Sequence, residues 1–303
     1  MVSRSHLFTH FVAFLTVAVW GSTFVFTKML LQAGLTPAQI FTFRFLIAYV
    51  LLLAFSMSRQ HQWFCSSWKD ETLMVALGLT GGSVYFLTEN AAMLFTTATN
   101  TSLIVCSCPL FAMLLVAIVY RHSEHITKVQ ALGSIIACLG MAVVVLNGHF
   151  VLHLSPLGDL LAFAACLCWA VYSLLMKKAL EDYSTLFITR KVFFYGLITI
   201  IPYYIILRPE EASVFNPSVF ISFTPSVVFN LLFLGVVASL LCFLTWNWVI
   251  SRLGAVVATN WVYFNPITTI LFAWWLLHEQ ITVWFLLGTI LILTGMYLSD
   301  RKK

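Results

Sequence analysis

Apolar residues run along this chain in stretches of roughly twenty, separated by short polar connections. A stretch of about 20 apolar residues is the length that an α-helix needs to cross the hydrocarbon core of a bilayer. The pattern predicts ten such helices, and because several connections hold only a few residues, successive helices should run antiparallel. The predicted segments are residues 7–31, 36–56, 72–94, 97–120, 127–147, 157–180, 184–207, 225–250, 255–277 and 282–299.

The composition agrees with this pattern. The chain has 303 residues, of which 61% are hydrophobic and 9% charged, and its mean hydropathy is +0.97. We therefore expect an all-α integral membrane protein that is surrounded by the lipid bilayer and carries no soluble domain. The net charge of +5 then reflects where the basic residues lie relative to the membrane, and it gives no reason to expect a nucleic-acid partner.

The basic residues predict the orientation. Most of those in the connections fall on one side of the predicted bundle, and only Arg208 lies in a connection on the other side. The positive-inside rule then places both termini in the cytoplasm. We expect a multi-pass protein of the plasma or inner membrane. The basic residues on the predicted cytoplasmic side are Arg4, Arg59, Lys69, Arg121, Lys128, Lys177, Lys178, Arg252, Arg301, Lys302 and Lys303.

One sequence pattern occurs twice. Phe86-Leu87-Thr88-Glu89-Asn90 returns as Phe243-Leu244-Thr245-Trp246-Asn247, 157 residues further on. Similar matches elsewhere predict two five-helix repeats, residues 1–150 and 151–303. Because five is odd, the second repeat enters the membrane from the opposite side, which gives the inverted repeat of many alternating-access transporters. The further matches are Trp20 and Lys28 with Trp169 and Lys177, Arg44 and Tyr49 with Arg190 and Tyr195, Pro109 with Pro266, and Gly133 and Gly140 with Gly288 and Gly295.

Four short motifs share a family pattern: Trp20-Gly21-Ser22-Thr23-Phe24, Gly158-Asp159-Leu160-Leu161, Cys168-Trp169-Ala170-Val171-Tyr172, and Asn265-Pro266 with His278-Glu279. They resemble the EamA-type members of the drug/metabolite transporter superfamily, and the resemblance covers nearly the whole chain. It implies ten helices, a central cavity between two halves and transport of small metabolites, often the export of amino acids or related compounds. The chain departs from the pattern at Cys108-Pro109 and in the longer connection from Tyr120 to Lys128.

Glu89 is a carboxylate inside a predicted membrane helix, where a charge is costly and normally faces a cavity or a partner. Arg44 and Lys28 are predicted at similar depths in neighbouring helices. Two interpretations are open, and they can also hold together. In one, Glu89 forms an ion pair with Arg44 or Lys28 that lets the bundle tolerate the charges. In the other, Glu89 lines the cavity as a protonatable or amine-binding group.

Aromatic and amide side chains are the other candidates for substrate binding. Trp20 and Trp169 are predicted at mid-membrane depth, away from the interfaces where tryptophan usually lies. An indole offers an apolar plane with one hydrogen-bond donor. Thr23 shares a helical face with Trp20, and Tyr172 shares one with Trp169. Ordinary bundle packing is the alternative for these positions. The remaining candidates are Asn90, Trp246, Asn247 and Tyr263.

Prolines and glycines predict where helices bend and where they pack closely. Pro109 and Pro266 fall within helices at equivalent positions of the two repeats, and each removes a backbone donor and kinks its helix. We expect both to act as hinges, with a static kink as the alternative. The paired glycines of the fifth and tenth helices are seven residues apart and allow close contact, so these helices should hold the halves together.

The candidate chemistry favours a secondary transporter that moves a small-molecule substrate. A membrane enzyme would need a constellation such as His-Glu-x-x-His or a buried Ser/His pair, and neither is found in the sequence. A channel would leave the inverted repeat without a purpose. Cysteines two residues apart, at 106/108 and 166/168, point to nearly opposite helix sides, which does not favour a metal site or a disulfide. We therefore expect a monomer without enzymatic activity, cofactor or metal, in which the two repeats form one cavity.

Overall fold

The computed structural model describes residues 4–59, 62–96, 98–120, 127–146, 155–209, 211, 223–277 and 283–299, and all regular structure in these ranges is helical. The first half contains α1 (Arg4–Gln32), α2 (Pro37–Arg59), α3 (Trp68–Gly78), α4 (Val84–Phe95), α5 (Ala98–Val105), α6 (Cys108–Val119) and α7 (Lys128–Leu146). The second half contains α8 (Pro156–Asp182), α9 (Thr185–Thr199), α10 (Pro225–Leu232), α11 (Cys242–Leu253), α12 (Ala255–Asn260), α13 (Asn265–Leu277) and α14 (Val283–Ser299).

Each of the ten predicted segments coincides with a helix or with a run of consecutive helices. Six helical stretches of the described chain are long and apolar enough to cross a membrane, and shorter apolar helices accompany them. The prediction of an all-helical membrane protein is therefore confirmed. The inverted relation of the repeats stays a prediction, and the predicted boundary between residues 150 and 151 lies outside the described residues. The six stretches are His6–Gln32, Pro37–Met57, Pro156–Asp182, Thr185–Leu207, Pro225–Leu253 and Ala255–Phe272.

Local sequence signals set several helix starts. The side-chain oxygens of Ser67, Ser184 and Thr224 accept hydrogen bonds from backbone N–H groups three residues further on. These caps satisfy donors that a helix leaves free at its first turn. Pro156 and Pro225 occupy the first positions of α8 and α10, where a missing N–H costs nothing.

The backbone departs from α-helical geometry at matching places in the two halves. A π-helical turn, Leu79–Ser83, joins α3 to α4, and a longer one, Phe233–Leu241, joins α10 to α11. A turn at residues 106–107 separates α5 from α6, and a 3-10 segment, Trp261–Phe264, separates α12 from α13. In both cases, adding 157 to the residue numbers of the irregularity in the first half gives residues within the corresponding irregularity of the second half. Irregular backbone at membrane depth is tolerated where it is buried in protein or lines a cavity.

Helices α7 and α14 touch at their glycines. A Cβ atom at Gly133 would lie 2.5 Å from the backbone nitrogen of Ser299, and one at Gly140 would lie 2.6 Å from the backbone nitrogen of Ile292. Backbone atoms therefore occupy the space that any larger side chain would need. The predicted close contact between the fifth and tenth helices is confirmed.

Polar contacts hold the connection between α2 and α3 and the first turn of α3 against the end of α8 and the first half of α9. Lys191 Nζ lies 2.5 Å from Glu71 Oε1. Arg190 donates a hydrogen bond to the backbone oxygen of Gln62 at 2.7 Å, and its guanidinium lies 4.4 Å from the centre of the Trp63 ring. These contacts join the first half to the second at one end of the bundle. We call them the clasp, which comprises Gln62, Trp63, Ser66, Asp70, Glu71, Tyr183, Arg190 and Lys191.

The clasp perturbs the titratable groups within it. The Tyr183 hydroxyl accepts a hydrogen bond from the Ser66 N–H at 2.9 Å and donates one to Asp70 Oδ2 at 2.8 Å. Hydrogen bonds from Tyr183 and then from Ser67 hold the pKa of Asp70 below its ordinary 3.8. Burial, followed by the neighbouring Glu71 carboxylate, raises the pKa of the Cys65 thiol to about 12.

Candidate functional site

A cavity of about 40 Å³ lies inside the bundle where helices of both halves meet. Such a volume leaves room for roughly three water molecules. Small-molecule sites typically measure about 300–1,000 Å³. The cavity wall is formed by Trp20, Thr23 and Phe24 of α1, Arg44 of α2, Tyr85, Phe86 and Glu89 of α4, Val105 and Cys108 at the first helix break, Trp169 of α8, Phe243 of α11, and Val262 and Asn265 at the second break.

Residues at equivalent positions of the sequence repeat line this cavity together. The repeat relates residues of the first and sixth predicted helices by 149 positions, and those of the third and fourth to the eighth and ninth by 157. Eight wall residues form four such pairs, so the cavity lies where the two sequence repeats meet. The pairs are Trp20 with Trp169, Phe86 with Phe243, Val105 with Val262, and Cys108 with Asn265.

Glu89 faces the cavity from α4 and is buried, with 8% of its surface exposed. Tyr85 lies one turn earlier on the same helix and donates a hydrogen bond to Glu89 Oε1 at 2.7 Å. The spacing of four residues places both side chains on one helical face. The carboxylate is therefore held by a neutral hydroxyl of its own helix.

Arg44 reaches the same cavity from α2, with 2% of its surface exposed. Its Nε donates a hydrogen bond to Ser239 Oγ at 2.9 Å, and its Cζ lies 4.3 Å from the centre of the Phe86 ring, within range of a cation–π interaction. Lys28 instead donates to the backbone oxygen of Met93 at 3.3 Å.

The described contacts of Glu89 include no ion pair with Arg44 or with Lys28. The hydrogen bonds described for the two cations go to other oxygens, from Arg44 to the Ser239 hydroxyl and from Lys28 to the backbone oxygen of Met93. Because Glu89 and Arg44 line the same cavity, the ion-pair interpretation stays a prediction. A role of Glu89 in substrate binding or coupling stays a prediction.

Three indoles meet beside the cavity. The ring centre of Trp20 lies 5.3 Å from that of Trp169, at an interplanar angle of 89°, and 5.1 Å from that of Trp246. The Nε1 of Trp20 donates to the backbone oxygen of Ala238 at 2.9 Å. In contrast, the Nε1 atoms of Trp169 and Trp246 are buried without a hydrogen-bond partner among the described residues. Buried donors normally have a partner, so these two favour a polar ligand or water beside them.

The other predicted residues lie behind the cavity wall. Tyr172 donates to Asn247 Oδ1 at 2.8 Å, and Asn247 Nδ2 donates to Thr189 Oγ1 at 2.9 Å. Asn90 donates to a backbone oxygen at the start of α2 at 3.3 Å. Tyr263 is fully buried, and its hydroxyl has no partner in the described part of the chain. Tyr172 and Asn247, which bond to each other, fit the packing interpretation in this conformation, whereas the Tyr263 hydroxyl favours a polar neighbour as the two indoles do. Thr23 lies in the wall itself.

The two prolines begin helices rather than bend them. Pro109 is the second residue of α6, and Pro266 is the second residue of α13. Proline is tolerated in the first turn of a helix because the N–H it lacks would have no intrahelical partner there. The expected mid-helix kinks are thus interruptions of the helix, and residues at both interruptions form part of the cavity wall. Their function as hinges stays a prediction.

The positioning contacts of Tyr85 and Ser239 were not predicted from the sequence. Tyr85 stands four residues before Glu89, so helical spacing alone could have suggested its hydrogen bond. Ser239 gives no such signal, because its partner Arg44 is 195 residues away. The family motif His278-Glu279 lies outside the described residues.

Apolar helices of spanning length, helix breaks buried at membrane depth and a cavity lined by buried charged residues are together the features of a multi-pass membrane transporter. The comparison with family models agrees. The chain belongs to the EamA-like transporter family, whose model matches residues 7–146 and 156–299. The resemblance seen in the sequence motifs is confirmed.

Known proteins similar to this chain extend over nearly all of it. An uncharacterized transporter of Archaeoglobus fulgidus is 27% identical, over 97% of this chain and 98% of its own length. A protein of Escherichia coli strain K12 named a probable amino-acid metabolite efflux pump is 26% identical, over 95% of this chain and 93% of its own length. One crystal structure matches with a TM-score of 0.73 and 17% identity over 96% of each chain, a likeness that shows the fold.

Proposed function

We propose that this protein is a secondary transporter that exports a small amphipathic metabolite, an amino acid or a related compound, by alternating access. The observation that carries the proposal is a single cavity in which Glu89 and Arg44, each hydrogen-bonded to a neutral hydroxyl, face the same space as Trp20 and Trp169. A carboxylate binds an ammonium group, a guanidinium binds a carboxylate, and indoles cover apolar surface. The printed name of the Escherichia coli relative points to the same class of substrate.

Alternating access is favoured by the size and position of the cavity. At about 40 Å³ it is too small for an amino acid, so the wall has to move before a substrate can enter. Matching helix breaks at the junction of two sequence repeats supply places where the wall can move in either direction. We infer that residues 1–150 and 151–303 form the two halves of a monomer in the plasma or inner membrane, with both termini cytoplasmic and with hinges at Pro109 and Pro266.

The test is flux from liposomes that contain the purified protein and a panel of radiolabelled L-amino acids. We expect saturable efflux of one class of amino acid. Glu89→Gln should reduce this flux by at least about thirtyfold, because removing a buried charge from a binding site typically costs about 2 kcal/mol or more. Glu181→Gln is the matched control, since it makes the same change at an exposed position near the end of α8.

Each outcome distinguishes one part of the proposal. Normal flux from folded Glu89→Gln would remove the carboxylate from the mechanism. Parallel losses of flux and melting temperature would show that Glu89 serves the fold. Flux that never saturates would indicate a channel, and no flux of any amino acid would rule out the proposed substrate class.

A further inference from the structure

The carboxylate of the cavity and the hydroxyl that holds its arginine each occur once, although the helices that build the cavity occur twice in the sequence and Arg44 itself matches Arg190. With the offset of 157, Glu89 corresponds to Trp246, Tyr85 to Cys242, and Ser239 to Gly82. The carboxylate and its donor therefore exist only in the first copy, and the hydroxyl that holds Arg44 exists only in the second. Because the equivalent helices pack without these groups, packing alone does not require them.

Arg44 and Ser239 join the two halves of the protein across the cavity. Ser239 lies in the π-helical segment between α10 and α11, and its hydroxyl accepts the Arg44 Nε hydrogen bond. Phe86 of α4 covers the guanidinium from the side, at 4.3 Å. The guanidinium is thus fixed at one position by an oxygen from the second half and a ring from the first.

Opposite charges that are both buried attract each other more strongly than in water, because the local dielectric constant is lower. An arginine side chain is also long and has several rotatable bonds, so it can turn toward a nearby carboxylate unless something holds it. In this structure Arg44 is held by Ser239, and Glu89 is held by Tyr85. Both partners are neutral hydroxyls.

We propose that Tyr85 and Ser239 are positioning residues that keep Glu89 and Arg44 apart, so that both charges stay available to a bound substrate. The proposal rests on the transport function proposed above. A substrate group displaces a neutral hydroxyl more easily than it breaks an ion pair. The hydroxyls therefore keep a cationic and an anionic subsite ready in the same cavity.

The first test needs no substrate. Melting temperatures are measured for Arg44→Met, Glu89→Gln and the double variant, in the wild-type background and in Ser239→Ala. Loss of the serine hydroxyl frees Arg44 to pair with Glu89. The melting-temperature change of the double variant should then differ from the sum of the two single-variant changes, and this departure from additivity should be at least twice as large in the Ser239→Ala background as in the wild type. An unchanged or smaller departure overturns the proposal. If Ser239→Ala fails to fold, Tyr85→Phe takes its place, because it removes only the hydroxyl that holds the carboxylate.

The second test measures efflux of radiolabelled L-phenylalanine from liposomes. Ser239→Ala should raise the half-saturation concentration at least tenfold and leave the maximal rate within twofold of the wild type, and Ser239→Thr should restore the wild-type value. Ser83→Ala is the control, because its buried hydroxyl bonds to Thr199 at 2.7 Å instead of to Arg44. If Ser239→Ala instead lowers the melting temperature and the maximal rate and leaves the half-saturation concentration unchanged, the serine has a structural role and the proposal is overturned.

The two tests separate this proposal from the proposed function. A larger departure from additivity in Ser239→Ala, without phenylalanine flux by the wild type, supports positioning and counts against the substrate class. Phenylalanine flux with an unchanged departure from additivity supports the transport function and overturns positioning.

Discussion

The clasp should open more often when its ion pair is removed, and Cys65 should report the opening. Under alternating access, the contact between the α2–α3 connection and α9 has to separate once in each cycle. Lys191→Met removes the cation that lies 2.5 Å from Glu71 Oε1. Both side chains are largely buried, at 8% and 16% exposure, so Glu71 is left without its partner in the closed clasp.

The expected size of the effect follows from the thiol. A pKa of about 12, against an ordinary 9.0, lowers the thiolate fraction at pH 8 roughly a thousandfold. Only the thiolate reacts with a maleimide, so molecules with an open clasp dominate labelling even when they make up about one per cent of the population. Breaking a buried pair typically costs about 3–5 kcal/mol. Even about 1.4 kcal/mol would raise the open population, and with it the labelling rate, about tenfold.

The assay is labelling at pH 8 with a water-soluble maleimide, followed by mass spectrometry of the peptide that contains Cys65. Cys65→Ser gives the background, and Lys128→Met makes the same change at an exposed lysine of α7 outside the clasp. The sign of the result is decisive. Lys191 lowers the pKa of Cys65, so removing it from a clasp that stays closed would slow labelling. Unchanged or slower labelling in Lys191→Met would refute the clasp as an opening contact.

Other predictions follow from the same contacts. Gly140→Val should lower stability by about 1–3 kcal/mol in a denaturation assay, because the added side chain meets backbone atoms of α14; an unchanged midpoint would contradict the close packing. Trp20→Phe loses a hydrogen bond to a buried carbonyl and should lower the melting temperature, whereas Trp169→Phe loses none and should chiefly change the half-saturation of transport. The reverse order would place the substrate elsewhere. Since the pKa of Asp70 is lowered by folding, its stabilising effect is present above pH 3.8 and is lost as the pH falls through the lowered value. The difference in melting temperature between Tyr183→Phe and the wild type should therefore be larger at neutral pH than in acid, where only the lost Ser66 hydrogen bond still counts, and a constant difference would contradict this.

Much of the fold could be predicted because its signals are local. The length of each apolar run determines whether a helix can span the membrane, and spacings of seven along α7 and α14 bring glycines to one face. The positions of Trp20, Thr23 and Glu89 in one cavity also agree with the sequence prediction, since helical periodicity and the repeat point to them.

Contacts between distant parts of the chain could not be predicted in this way. The hydroxyl that holds Arg44 comes from a residue 195 positions away, and no pattern within either helix reveals it. Tyr172 and Asn247 are typical cavity residues by composition, yet their side chains satisfy each other. Pro109 shows a third limit: its type predicts a disturbed helix, but whether the helix kinks or breaks depends on the packing around it.

The matching helix interruptions have a consequence for how such a protein can acquire new selectivity. The two halves share the same helix interruptions, but the side chains beside those interruptions differ. Glu89 in the first half corresponds to Trp246 in the second, and Ser239 in the second half corresponds to Gly82 in the first. In the proposed mechanism, movement and recognition are therefore carried by different parts of the molecule. Under that mechanism, we expect a substitution at one of these single-copy positions to change which substrate binds and to leave the backbone geometry of both helix interruptions unchanged. The two halves would then keep the same backbone interruptions, and the side chains beside them could diverge independently.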